Sequence, residues 1–492
     1  MARSPFVIGV CVLVPLIPAY FYATKQSRSN CELRRQSGTV KEGMGHKAYL
    51  WPSSMGQPGN YGNSKHAGPK NFSESFAWKW QDPFGGRFRS GGAGGTVVDD
   101  KKNIYLSWNW GLTKFSPDGQ QLWTYYPKGH CHAISDQSMW NSPSLWGDAV
   151  FASTENGAVF AVNMETGAEV WSTQYETDQG LLIHKWTSGL INNGFVQVSE
   201  GVVIVDYVRR VYGLSAENGS MLWELEPDGA LWNFKADFPG DGTFVFQTYE
   251  GQVHRCRVVD GSVIWKSGGQ PGTWTDGNIG LGPNKIVYGV NTKWTSTLPQ
   301  PTKWDWRYLF GGEKGQLSAY ALDDGERLWT YDFERPANNA MAIGRLSPGA
   351  PYSVIQPVGQ QDKQGEQYWV YALDAETGKL QWVFDGPIQT GRRQAMSDLS
   401  PSEQAAIPGG CVPNPWSAPT IDATGTVYIG NQEGQIYALK DVNGDGRVEG
   451  DAEVRSYMTL HPYDGSEAPA IVPGLMAIAS CDEMYVFRYP EE

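Results

Sequence analysis

Tryptophan and asparagine recur just ahead of a series of short apolar stretches, and they are the residues of this chain best suited to hold a ligand. Trp140-Asn141, Trp186, Asn193, Trp232-Asn233, Trp274 with Asn278, Asn339, and Asn414-Pro415-Trp416 all stand in such positions. An indole offers a flat apolar face with one polar handle. A carboxamide offers both a donor and an acceptor. Apolar walls with a few polar groups suit a sugar or a planar cofactor. Asp136, Asp178, Asp237 and Asp276 lie close by and would add a cation partner or a base. The competing reading is structural, with tryptophan packing loops and asparagine closing turns.

A second cluster is oxygen-rich. Asp441, Asn443 and Asp445 alternate, with Gly446 next, as in the first half of a calcium-binding loop. Position 12 of such a loop falls on Ala452, while Asp451 and Glu453 flank it, so the register is displaced by one. The alternatives are a calcium-binding hairpin and an acidic solvated turn. His130-Cys131-His132, with His184 or His461, has metal-ligand chemistry but no fixed metal-site spacing. No nucleophile elbow, phosphate-binding loop or dinucleotide fingerprint is present. The six cysteines include no C-x-x-C pair. Cys131 and Cys411 both precede an apolar stretch, so a disulfide between them and free buried thiols are both open.

The elements that would carry these residues come from one phrase written many times. AVNMETGAEVW (161–171) and ALDAETGKLQW (372–382) are its best copies. In each copy a glycine is followed four residues later by a tryptophan: Gly119/Trp123, Gly167/Trp171, Gly219/Trp223, Gly261/Trp265, Gly325/Trp329 and Gly378/Trp382. Self-similarity of this period means a repeat architecture. Within each unit, apolar runs alternate with Asn-Gly, Asp-Gly and Glu-x-Gly turns, the residues that tight hairpins need. Four antiparallel strands repeated radially make a propeller blade.

Six units end at these tryptophans. A seventh runs from Ala418 to about Leu460 and replaces the glycine–tryptophan hairpin with the acidic insertion. The last three strands lack a fourth, and Phe76-Ala-Trp-Lys-Trp is a strand without a unit. The expected fold is therefore all-β: an eight-bladed propeller of four-stranded antiparallel blades, closed by N- and C-terminal strands in one blade. Trp123, Trp171, Trp223, Trp265, Trp329 and Trp382 are expected to dock between blades, with Trp80 doing so in the closing blade.

The whole-chain numbers agree. The chain has 492 residues, 59 Gly, 24 Tyr and 21 Trp, which suits many short strands and tight turns. A net charge of −13 argues against nucleic acid as a partner. Residues 5–23 are almost wholly apolar, so 1–23 reads as a signal anchor or signal peptide. Residues 24–50 read as a linker and 51–492 as the propeller. Lys25 and Arg28 after the apolar segment point to a cytoplasmic propeller by the positive-inside rule. The sequons at Asn71 and Asn218 point the other way. The expectation is a membrane-anchored or secreted, extracytoplasmic domain.

The repeated phrase, with Trp51-Pro52 followed by GQPGNYGNS, resembles the quinoprotein (PQQ-type) propellers over roughly 51–490. The resemblance implies the fold. For activity it implies one of two things: a PQQ- and calcium-dependent alcohol dehydrogenase, or a non-catalytic scaffold such as the bacterial lipoprotein that assists outer-membrane protein assembly. This chain lacks the vicinal cysteine pair of the large dehydrogenases and the C-x-x-C-H haem motif. The leading expectation is a propeller that binds a small molecule, glycan or protein. The alternatives are a PQQ/calcium oxidoreductase of alcohols or sugars, and a sugar-active propeller.

Overall fold

The computed structural model describes residues 47–491, apart from 58, 60, 82–93, 109–110, 128–138, 140–141, 155–156, 175–193, 208–209, 276–278, 294–313, 338, 360–364, 366, 389–414, 464–467 and 482. Its strands form eight antiparallel sheets, each a propeller blade. Blade 1 runs from the inside outward as Gly94–Val98, Ile104–Trp108, Gly111–Phe115 and Gln121–Tyr125. Blades 2, 3, 6 and 7 repeat this order. In blade 4 the inner position is held by a two-way bridge between Asp237 and Val245. In blade 5 it is shared by Thr273–Trp274 and Gly280–Leu281. Second strands such as Val202–Tyr207 are buried at every residue. Outer strands such as Val263–Gly268 alternate between exposed and half-buried, because one face packs on the next blade and the other meets water.

Blade 8 closes the ring as expected. Its inner three strands are Ala470–Val472, Leu475–Ala479 and Glu483–Arg488, and its outer strand is Phe76–Gln81 from the other end of the chain. Both chain ends thus share one sheet, which leaves no gap in the ring.

The glycine and tryptophan of the repeat work between blades. Trp171 Nε1 donates to Ala216 O of blade 3 at 2.9 Å, and a Cβ on Gly219 would lie 2.5 Å from its ring. The same relation links Trp123 to Met164 O and Gly167, and Trp223 to Val258 O and Gly261. It recurs between Trp265 and Leu322 O with Gly325, and between Trp329 and Ala375 O with Gly378. Each of these five tryptophans therefore packs on the glycine of the following blade. The glycine four residues before it serves the preceding one.

A β-bulge aims each ring. Ala161 pairs with Trp171 but Val162 pairs with Glu169, so Val170 is the extra residue. The same one-residue shift stands immediately before Trp123, Trp223, Trp265, Trp329 and Trp382. A bulge bends the strand and re-aims the next side chain, here toward the neighbouring blade.

The closing blade corrects one expectation. Its bulge falls between Phe76 and Trp78, and Trp78 is the docked ring. Trp78 Nε1 donates to Pro117 O at 3.0 Å, and Gly119 packs on its face. Trp80 packs edge-on against Trp108 and Phe115 instead. The bulge sets which residue is turned outward, and the alternation of aromatics at 76–80 does not reveal it.

The outer hairpin of blade 7 has neither bulge nor tryptophan. Its insertion takes over the contact with blade 6: Val383 N donates to Gly446 O and Val448 N donates to Val383 O, both at 3.0 Å. Arg447 pairs with Asp385 alongside. Toward blade 8 the missing indole is replaced by an aromatic cluster. Tyr457 stacks on Phe76 and lies edge-on to Phe487, with Phe72 between them. Phe72 belongs to a single helical turn, Phe72–Ser75, capped by Asn71 Oδ1.

Candidate functional site

The segment 49–68 has no strand or helix periodicity, so its backbone groups must find partners elsewhere. It finds them on the inner strands of the ring. Trp51 and Val98 exchange two hydrogen bonds at 2.9 and 2.7 Å, and Leu145 N donates to Pro52 O at 2.9 Å. Farther along, Ile343 N donates to Tyr61 O at 2.7 Å and Ile421 N donates to Gly62 O at 2.8 Å. Ser64 Oγ donates to Ile471 O at 2.8 Å. Blades 1, 2, 6, 7 and 8 are thus all tied to one irregular segment. Val98 and Ile421 end inner strands and lead into the turns toward the second strands. The segment therefore plugs the channel on the face of those turns. Gly62 is required there: at φ +61° its missing Cβ would lie 2.8 Å from Ala342 and from Met55.

Blade 4 meets the plug with a charged pair. Lys235 Nζ stands 3.5 Å from Asp237 Oδ1, with both side chains buried. The same ammonium is 3.4 Å from Met55 Sδ. Burial pulls the Lys235 pKa down against the opposing pull of Asp237. Tyr61 of the plug is raised by burial and then by the Asp237 charge. An ammonium held by one carboxylate oxygen and one thioether has donor capacity left for a carboxylate, a carbonyl or water. Asp237 was singled out from the sequence, but Lys235 was missed. The available signal was the Lys-x-Asp alternation between the apolar residues Phe234, Ala236 and Phe238.

Of the candidate tryptophans, Trp274 and Trp416 pair with blade strands. Trp274 is buried, its ring 6.1 Å from Tyr249. Trp416 is fully buried, enclosed by Tyr368 at 4.8 Å, Tyr437 at 5.7 Å and Phe384 at 6.0 Å. Asn339 donates to Trp416 O and accepts from Gln356 Nε2. Trp232 and Asn233 are half-buried, Asn233 with a φ of +45°. Trp140, Asn141, Trp186, Asn193, Asn278 and Asn414 lie outside the described residues, as do Asp136, Asp178, Asp276, His130, His132, His184, Cys131 and Cys411. A planar quinone needs an open ring face, and among the described residues neither Trp274 nor Trp416 presents one.

In the acidic insertion, Asp441 accepts from Gly444 N and Gly446 N, and Asn443 Oδ1 accepts from Asp445 N. Asp445 accepts from Arg447 N. Glu453 is buried and accepts from the backbone of Val442, Asn443 and Glu449, which holds its pKa below the usual range. Asp451 is exposed. Among the described residues no three His, Cys, Asp or Glu side chains gather as a metal site. His461 Nε2 stands 3.5 Å from Glu483 Oε2, in the closing blade.

Cys256 is a free, buried thiol. Cys481 is buried and disulfide-bonded. Among the described residues no helix is long and apolar enough to cross a membrane.

A family profile described as outer membrane protein assembly factor BamB matches residues 109–279 and 289–449. The quinohemoprotein alcohol dehydrogenase ADH IIB of Pseudomonas putida is 23% identical over 363 residues, 67% of this chain and 48% of that protein. The outer membrane protein assembly factor BamB of Moranella endobia is 23% identical over 271 residues, 55% of this chain and 62% of that one. These matches span about half to three fifths of the relatives' lengths. Among solved structures, BamB from Moraxella catarrhalis superposes with a TM-score of 0.51 at 14% identity, over 84% of this chain and 98% of that one. The quinohemoprotein alcohol dehydrogenase ADHIIG from Pseudomonas putida HK5 gives 0.56 at 11% identity, over 90% and 80%. At these identities the structures attest the fold alone.

Proposed function

This chain belongs to the PQQ-like propeller family described as outer membrane protein assembly factor BamB, and from that membership we propose that it is a binding propeller for a protein partner, working outside the cytoplasm. The observation that carries the reading is an asymmetry of connections. Turns from inner to second strands and from third to outer strands are short, as at 99–103, 116–120 and 164–168. Connections from an outer strand to the next inner strand are long at 126–143, 175–196 and 389–419. Apart from the 440–453 insertion of blade 7, the longer connections named here gather on one face, and insertions gathered on one face of a repeat protein often serve binding there. The plug segment bonds to the ring at the inner-to-second-strand turns, so we place the partner at the opposite rim. The Cys481 disulfide supports an oxidising compartment.

The test uses the purified full chain and the outer-membrane protein assembly machinery of its host. A variant with 389–410 replaced by a short Gly/Ser linker is expected to fold and lose binding in surface plasmon resonance. Undiminished binding by that variant sinks the reading.

The match to quinohemoprotein dehydrogenases over 67% of the chain favours a second reading, a PQQ- and calcium-dependent oxidoreductase. Lys235 and Asp237 are the described residues with chemistry toward a quinone or carboxylate. Incubation with PQQ and calcium, followed by absorbance and dye-linked alcohol oxidation, tests it. No bound quinone and no turnover removes it.

A further inference from the structure

Where the plug segment leaves the channel, it walls a cavity of about 300 Å³ against blade 7. The lining holds three cations, Lys70, Lys440 and Arg455, together with Thr424, Thr426 and Tyr428. This concentration of positive charge stands on a chain of net charge −13. The one acid in the lining, Asp422, is already committed. Its Oδ1 accepts from Thr424 N, Thr424 Oγ1 and Thr426 N at 2.8, 2.7 and 2.9 Å, and its Oδ2 accepts from Gly68 N at 2.8 Å.

Two of the cations, Lys440 and Arg455, are held in place by backbone carbonyls. Lys440 Nζ donates to Thr424 O at 2.7 Å, its acceptor among the described residues, and two further N–H groups remain. Arg455 donates from one Nη to Lys70 O. Lys440 follows the third strand of blade 7 and Arg455 lies in the outer strand, opposite Ala438. The acidic insertion separates the two in sequence while the sheet keeps them together. Tyr428, fully buried, supplies an apolar wall, and its hydroxyl is occupied by Pro69 O at 3.1 Å.

We propose that this cavity is a binding site for a phosphate group. One guanidinium and two ammonium charges around a small cavity match a multiply charged tetrahedral oxyanion, with the remaining N–H groups of Arg455 and Lys440 as its donors. The volume is at the lower end for a small-ligand pocket, so the phosphate comes from a compact free ligand or a lipid headgroup. A bound phosphate would add to the hydrogen bonds that already join the segment at 67–70 to blade 7 through Asp422, Tyr428 and Arg455.

Isothermal titration of the full chain with pyrophosphate, at chloride-matched ionic strength, reads the site directly. Co-sedimentation with phosphatidylglycerol vesicles reads the lipid source. Saturable pyrophosphate binding is expected. Arg455→Gln and Lys440→Gln should each weaken it about tenfold or more, the loss of one charge-assisted contact. Arg455→Lys should be intermediate, and Lys379→Gln on the blade 6 hairpin should have no effect. Circular dichroism and melting of each variant show that the fold is kept, and Arg455→Lys serves if a glutamine variant does not fold. Vesicle binding lost in the same variants assigns the phosphate to a lipid; pyrophosphate binding without vesicle binding assigns it to a free ligand. Binding to neither probe, or equal binding by all variants, overturns the proposal.

Discussion

Lys79 Nζ lies 2.9 and 3.0 Å from the two carboxylate oxygens of Glu483, across the seam where the first and last strands of the propeller pair. The Glu483 side chain is buried, whereas Lys79 is half exposed. Tyr485 donates to the same carboxylate. The seam holds the ring shut, so this pair couples the two chain ends. Lys79→Met leaves a buried carboxylate short of its cation, and the expected loss is about 1–3 kcal/mol. Urea unfolding followed by tryptophan fluorescence measures it; an unchanged midpoint would show that the pair adds nothing to closure.

The docking contact gives a paired prediction. Trp171→Ala removes a buried indole and should cost about 3–5 kcal/mol. Gly219→Ala should also be strongly destabilising, because the added Cβ meets the Trp171 ring at 2.5 Å and the backbone has a φ of +72°. Gly201 has a similar φ of +76° but nothing within 4 Å. Gly201→Ala should therefore cost only the backbone term, about 1–2 kcal/mol. Equal losses at Gly219 and Gly201 would show that conformation alone, without ring packing, explains the repeated glycine.

The difference between these glycines also marks how far the sequence could be read. Repetition of Gly and Trp at a fixed spacing exposes the blades and their number, because hairpin chemistry is local. Which glycine meets which ring is a contact between neighbouring blades, and no spacing within one unit carries it. Trp78 could not be told from Trp80, since a bulge decides which of them turns outward. The Lys235–Asp237 pair gains meaning only when the distant residue Met55 is folded onto it. The tryptophan–asparagine series was legible as chemistry, yet Trp274 and Trp416 lie inside the blades, where burial answers to packing as readily as to a ligand.

The two described cysteines should behave oppositely toward reagents. Burial pushes the Cys256 thiol up to about 12, so almost none is thiolate at neutral pH. A maleimide or aromatic disulfide should leave Cys256 unmodified in native protein and label it after unfolding. Cys481 is buried beside the closing strand and disulfide-bonded. Cys481→Ser should cost about 2–5 kcal/mol by freeing the unfolded chain. Denaturant midpoints under reducing and oxidising conditions test this, and coincident midpoints would exclude a stabilising role.

Two buried titratable groups in adjacent blades oppose one another. Burial pushes the Asp206 carboxyl up to about 7 from its ordinary 3.8, against hydrogen bonds from its own N–H and that of Gly194. Burial pulls His254 down to about 4 from 6.5, its ring stacked on Phe246 at 4.7 Å and its Nε2 without a hydrogen bond among the described residues. Folded Asp206 binds its proton more tightly than the unfolded chain does, so its contribution falls as pH rises from about 4 to about 7 and is constant above. Folded His254 resists its proton, so its contribution is complete above about 6.5 and is lost as pH falls toward 4. Between those limits the two slopes have opposite sign, each at most about 1.4 kcal/mol per pH unit. The stability of Asp206→Asn relative to wild type should therefore rise from pH 4.5 to 7. That of His254→Phe relative to wild type should fall over the same range. Melting curves at half-unit pH intervals decide it: parallel profiles for wild type and both variants would mean that neither group titrates as its burial demands.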